Sequence, residues 1–176
     1  TSVWKQTAIA GSLLVGYWLL MTLVPVPGHG AGVITPEGNL HTYLDHRFLP
    51  GKFYQGECFD EDGLLQQMSS IAVCLAGALA GHWLRSRQAP ERKVYGLLAA
   101  GVACIVVGLL WDLSFPIIFR LWSSSYAMLT IGMSSVLLGG FYWEQESTST
   151  DNRVLPPGAQ AEADANMRAA RLAFCA

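Results

Sequence analysis

Four long stretches without a charged side chain limit what this chain can become. They run over residues 6–24, 64–84, 94–111 and 121–143. Each is close to the roughly 20 apolar residues needed to carry a helix across the hydrocarbon core of a bilayer. A water-soluble domain of 176 residues would spread its apolar side chains at the period of its helices or strands. Here 52% of the residues are hydrophobic and they come in blocks. The expected fold class is therefore all-α: a polytopic transmembrane helix bundle of four spans with one long outer loop at 25–63. A bilayer core leaves few alternatives, because a helix satisfies its own backbone hydrogen bonds without water.

The connectors orient the spans. Arg85-Ser86-Arg87-Gln88-Ala89-Pro90-Glu91-Arg92-Lys93 holds four basic residues and one acid. By the positive-inside rule this connector is cytoplasmic. The acidic 25–63 segment and the short hairpin around Asp112, Pro116 and Arg120 then lie outside, and both termini lie inside. Lys5 at the inner end of the first span fits this orientation. So do Trp83 and Tyr95 at one interface and Trp111 and Trp122 at the other. Pro116 stops helix propagation in the hairpin. Glu144 onward is polar and contains Pro156-Pro157-Gly158, so 144–176 is expected to be a largely disordered cytoplasmic tail.

Small residues recur at helical spacing in three spans: Ser70, Cys74, Gly77 and Gly81; Gly101, Cys104 and Gly108; Ser125, Gly132, Ser135 and Gly139. In lipid such stripes let helix backbones approach and gain dispersion contacts. A pathway for substrate lined by the same residues is the competing reading. The net charge of −2 gives no argument for a nucleic-acid partner. Cys58, Cys74, Cys104 and Cys175 share no metal spacing and read as packing residues. Gly28-His29-Gly30-Ala31-Gly32 lacks the preceding strand that a phosphate cradle needs and reads as a flexible turn. His29, His41 and His46 with Glu37 and Asp45 match no zinc spacing, so no metal site is expected. No cleavable signal is evident, and because Thr1 is not an initiator methionine the sequence is expected to begin inside a longer chain.

Chemistry is sought at the outer connectors. Asp60-Glu61-Asp62-Gly63 precedes the second span, either as a helix start favoured by the macrodipole or as acids that bind a polar ligand. Asp112 and Arg120 are either an ion pair of the hairpin or contacts for that ligand. Trp111 and Trp122 are either belt residues or stacking surfaces for a sugar ring.

Several motifs then resemble one membrane family. They are Val24-Pro25-Val26-Pro27-Gly28, Thr35-Pro36-Glu37-Gly38-Asn39-Leu40, Tyr43-Leu44-Asp45-His46-Arg47 with Leu49-Pro50-Gly51, Asp60-Glu61-Asp62-Gly63-Leu64-Leu65, and Phe115-Pro116-Ile117 with Leu121-Trp122-Ser123-Ser124-Ser125-Tyr126. Over residues 6–143 their order and spacing resemble the central part of the heparan-alpha-glucosaminide N-acetyltransferase-like family, whose bacterial members include proteins proposed to transport N-acetylglucosamine. The resemblance implies ten or eleven helices in the complete protein, with acetyl-CoA as cosubstrate and transfer of acetyl to an amino sugar on the opposite side of the membrane. It implies a bacterial inner membrane, a glycan or amino-sugar partner, and further helices of the parent chain; a homo-oligomer is compatible with it. The alternatives are an amino-sugar permease and a chain inactive without its catalytic half.

The expected substrate-binding residues are Asp60, Asp62, Asp112, Arg120, Trp122 and Ser124. Three departures stand out. Asp60-Glu61-Asp62-Gly63 replaces the family's Asp-Pro-Glu-Gly, and Ile118-Phe119 replaces Asn-Lys. None of His29, His41, His46 and His82 matches the family's reactive histidine, so no catalytic residue is assigned. Arg85, Arg87, Arg92 and Lys93 are the one inner basic cluster suited to coenzyme A, but their role in setting topology explains them better.

Overall fold

The computed structural model describes residues 2–35, 38–48 and 63–154, together with 162, 165, 166 and 168. Among the described residues five helices form: α1 (Val3–Leu23), α2 (Leu40–Phe48), α3 (Gln66–Leu84), α4 (Pro90–Asp112) and α5 (Ser124–Val154). All except α2 are long and apolar enough to cross a membrane. Among the described residues the protein is thus an all-helical, integral membrane bundle with four helices able to span.

Local chemistry sets the ends. Pro25 follows Val24, the C-cap of α1, and cannot extend the helix. Pro90 sits in the first turn of α4, where its missing N–H costs nothing. Arg85–Ala89 makes a short turn from α3 to α4, and the Trp83 indole closes it by donating to the Lys93 carbonyl at 3.1 Å. The Gly28-His29-Gly30 stretch turns tightly, with Val26 and Gly30 exchanging backbone hydrogen bonds of 2.7 and 3.0 Å.

Two differences from the sequence expectation concern polar segments. The long connector is not all loop: Asn39 caps α2 by accepting the Thr42 N–H at 2.7 Å, and it ties itself back to the Thr35 carbonyl at 2.9 Å. The polar segment after Trp143 does not begin a disordered tail. Instead α5 runs unbroken through Glu144-Gln145-Glu146 to Val154. Those residues are good helix formers, so loss of hydrophobicity marks the exit from lipid and not the end of the helix.

The helices pair as α1 with α3 and α4 with α5, and α5 also meets α3 to join the pairs. Along the α4–α5 seam the backbones nearly touch. A Cβ built on Gly132 would lie 2.7 Å from the Gly101 carbonyl oxygen and 2.8 Å from the Ile105 nitrogen. One built on Gly101 would lie 2.9 Å from the Gly132 carbonyl oxygen. The small residues of α4 and α5 therefore do the packing their spacing predicts. The stripe on α3 does not: Cys74 is exposed, and nothing lies within 4 Å of a Cβ built on Gly77 or Gly81.

Candidate functional site

Polar groups concentrate at one end of the bundle, where α1 finishes, α3 and α5 begin, and α2 and the 113–123 hairpin pack between them. An apolar cluster of Tyr17, Met21, Val26, Leu40, Phe115 and Leu121 holds this end together. The Tyr17 hydroxyl donates to the Leu121 carbonyl at 2.7 Å and fixes the hairpin to α1.

The hairpin uses most of its polar side chains on itself. Asp112 accepts the Ile117 N–H at 2.7 Å, so this carboxylate shapes the turn. Ser123 accepts the Ile118 N–H at 3.1 Å and lies 3.0 Å from the Ser125 hydroxyl. Ser125 donates to the Phe115 carbonyl at 2.7 Å. Ser124 crosses to α1 and donates to the Leu14 carbonyl, also at 2.7 Å. Three consecutive buried serines thus satisfy a loop and a neighbouring helix. Among the expected ligand residues, Asp112 and Ser124 serve the fold, and Arg120 is exposed on the hairpin.

Trp122 stands in a different setting. Its backbone is left-handed (φ 48°), a conformation that costs an aromatic residue about 1–3 kcal/mol. The ring joins Phe119 and Tyr126, with centroids 6.3 and 5.5 Å away, and Phe119 and Tyr126 are 5.8 Å apart. The Trp122 indole N–H is buried and meets no acceptor. Phe119 remains 59% exposed, so this three-ring surface is open on one side.

Beneath the hairpin lies a pair that the sequence reading weighed only within a candidate metal set and not as a partnership of its own. His41 and Asp45 stand one turn apart on the buried face of α2, with Nε2 3.4 Å from Oδ2. Asp45 Oδ1 accepts the Leu64 N–H at 3.1 Å, at the approach to α3, where the dipole favours a carboxylate. Gly63 covers the pair so closely that a Cβ there would run into both the Asp45 carboxylate and His41 Nε2. The charge of Asp45 also acts on Tyr17. Gln66 and Ser69 follow on the buried face of α3. The available signal was the i, i+4 His–Asp spacing behind an Asn cap, obscured by the proline- and glycine-rich surroundings. Asp60 and Asp62 lie outside the described residues. Among the described residues no three His, Cys, Asp or Glu side chains converge as metal ligands.

No protein-family model, curated protein or solved structure matches the chain.

Proposed function

We propose that the chain is part of an integral membrane acyltransferase that moves acetyl from acetyl-CoA to the amino group of an amino sugar, as its motifs of the heparan-alpha-glucosaminide N-acetyltransferase-like type suggest. The observation that carries this reading is the half-open aromatic surface of Phe119, Trp122 and Tyr126. Sugar rings present C–H faces that pack on aromatic rings, and the exposed Phe119 leaves one side of this surface open to such a ring. Strain at Trp122 supports a role for that ring beyond filling space.

In this reading the hairpin end faces the compartment that supplies the sugar, and the arginine-rich connector faces the cytoplasm. The amine nitrogen attacks the thioester carbonyl, a C–N bond forms and the C–S bond breaks. The proton surrendered by the amine leaves with coenzyme A as its thiol. The attacking amine has to be neutral, so a base beside the acceptor accelerates the step. The hairpin's contribution is to hold the sugar.

The test uses membranes carrying the full-length protein that contains this sequence. Glucosamine should stimulate release of coenzyme A from acetyl-CoA, and Trp122→Ala should raise the KM for glucosamine about tenfold, the loss of one good aromatic contact. Release that does not rise with sugar would refute the transferase. Uptake of labelled N-acetylglucosamine without acetyl-CoA would establish the permease instead.

A further inference from the structure

The turn from α3 to α4 is closed tightly enough to fix where its charges sit. The Arg85 and Ser86 N–H groups donate to the Gly81 and Trp83 carbonyls, both at 3.1 Å, and the Lys93 N–H donates to the Ala89 carbonyl at 3.2 Å. The Trp83 indole ties the two ends of the turn together through the Lys93 carbonyl. Its ring lies close against α4, since a Cβ built on Gly96 would come within 2.6 Å of it. Lys93 faces the Tyr142 ring, but Arg85, Arg87 and Arg92 are exposed. Among the described residues no carboxylate comes within ion-pair distance of these three arginines. The helix dipoles oppose each other here, because α3 ends where α4 begins, so the side chains set the potential: four basic residues against Glu91.

Both helices are long and apolar enough to span, and a short turn joins them, so the turn lies at the level of the lipid headgroups. Trp83 and Tyr95, 38% and 66% exposed, flank it as aromatic side chains do at a bilayer interface. We infer that this turn is a binding surface for anionic phospholipid headgroups, with Arg85, Arg87 and Arg92 as the phosphate contacts. A guanidinium fork pairs with phosphate oxygens through two parallel hydrogen bonds, and basic clusters beside a span attract anionic lipid. Coenzyme A fits less well: every residue from Arg87 to Arg92 is exposed, so the turn offers no walls to an adenine ring. Guiding insertion uses these charges only while the chain enters the bilayer, whereas the folded turn keeps them unpaired at headgroup depth afterwards. The surface is independent of the sugar reading, since it lies at the opposite end of the bundle from the hairpin.

The test titrates the full chain, purified in a neutral detergent, with phosphatidylglycerol and follows its thermal unfolding at low ionic strength. Phosphatidylglycerol should raise the unfolding midpoint saturably, phosphatidylcholine should not, and high salt should weaken the response. Arg85→Gln, Arg87→Gln and Arg92→Gln should each raise the half-maximal lipid concentration about fivefold, the worth of one basic residue beside an anionic surface. Each titration is read against that variant's own lipid-free midpoint, so a change in basal stability does not obscure it. Arg120→Gln, at the other end of the bundle, should leave the titration unchanged. A midpoint that phosphatidylglycerol raises no more than phosphatidylcholine does would overturn the surface. So would an unchanged titration in all three turn variants, or an equal loss at Arg120→Gln. Stabilisation by coenzyme A in place of lipid, lost in the same turn variants, would overturn it in favour of a soluble phosphate ligand.

Discussion

At the scale of single residues, the serine run shows how a side chain that a sequence motif offers to a ligand can be spent on the fold. Ser124 belongs to a motif that resembles a sugar-handling family, but its hydroxyl is spent on the Leu14 carbonyl of α1 at 2.7 Å. Ser124→Ala should therefore cost about 1 kcal/mol, the net worth of a buried hydrogen bond, together with the penalty of an orphaned carbonyl. A lowered unfolding midpoint with unchanged KM for glucosamine would fit this assignment. A raised KM at an unchanged midpoint would restore Ser124 to the ligand. Gly63 makes a stronger demand. Its Cβ position is already occupied by the Asp45 carboxylate and His41, so Gly63→Ala must push α2 away from the start of α3. A loss of about 1–3 kcal/mol, typical of overpacking, is expected. Hydrogen exchange at the Leu64 amide reads the displacement directly, because that amide is held by Asp45. Full protection of Leu64 in the variant would show that the connector yields and the pair does not.

At the scale of elements, periodicity reveals which residues share a face but not what that face meets. The stripes of Gly101, Cys104 and Gly108 and of Ser125, Gly132, Ser135 and Gly139 were legible and lie on the helices that pack closely. The equally regular stripe of α3 is turned away from this chain, because α3 buries Gln66, Ser69 and Ala72 instead. A matched pair of substitutions separates the cases. Gly132→Val must part α4 from α5, since its Cβ meets backbone atoms that cannot rotate aside; a loss of about 3 kcal/mol is a reasonable scale. Gly77→Val meets nothing within 4 Å and should leave the unfolding midpoint of the isolated chain within about 0.5 kcal/mol of the parent. Equal damage at both positions would mean that the α3 face is covered in the assembled protein. Helix α2 escaped sequence reading for a related reason. Nine residues flanked by glycine and proline carry too weak a pattern to register, and its stability comes from the Asn39 cap and the buried His41–Asp45 face.

At the scale of the whole molecule, the packing is inverted relative to a water-soluble domain. Val106, Leu109, Leu110, Leu137 and Phe141 are exposed, while Asn39, His41, Asp45, Ser69 and the three consecutive serines are buried. Several hydroxyls along the spans return to their own helices, as Thr22 does to Trp18, Thr130 to Tyr126 and Ser135 to Ile131. Lipid as solvent explains both patterns, because an exposed apolar side chain costs nothing there and an unpaired polar one costs a great deal. The same solvent makes the two ends of the bundle unlike. One carries Arg85, Arg87, Arg92 and Lys93, with Lys93 placed 5.9 Å above the Tyr142 ring; the other carries the hairpin and α2. By the positive-inside rule this charge bias predicts that the arginine-bearing end stays in the cytoplasm. Single cysteines at Arg87 and Phe119, introduced after replacing Cys58, Cys74, Cys104 and Cys175, should therefore react differently with a membrane-impermeant maleimide. Phe119→Cys should label in intact cells, and Arg87→Cys only after permeabilisation. The opposite result would put the aromatic surface in the cytoplasm beside the source of acetyl-CoA, and transfer to a sugar across the bilayer would no longer follow from its position.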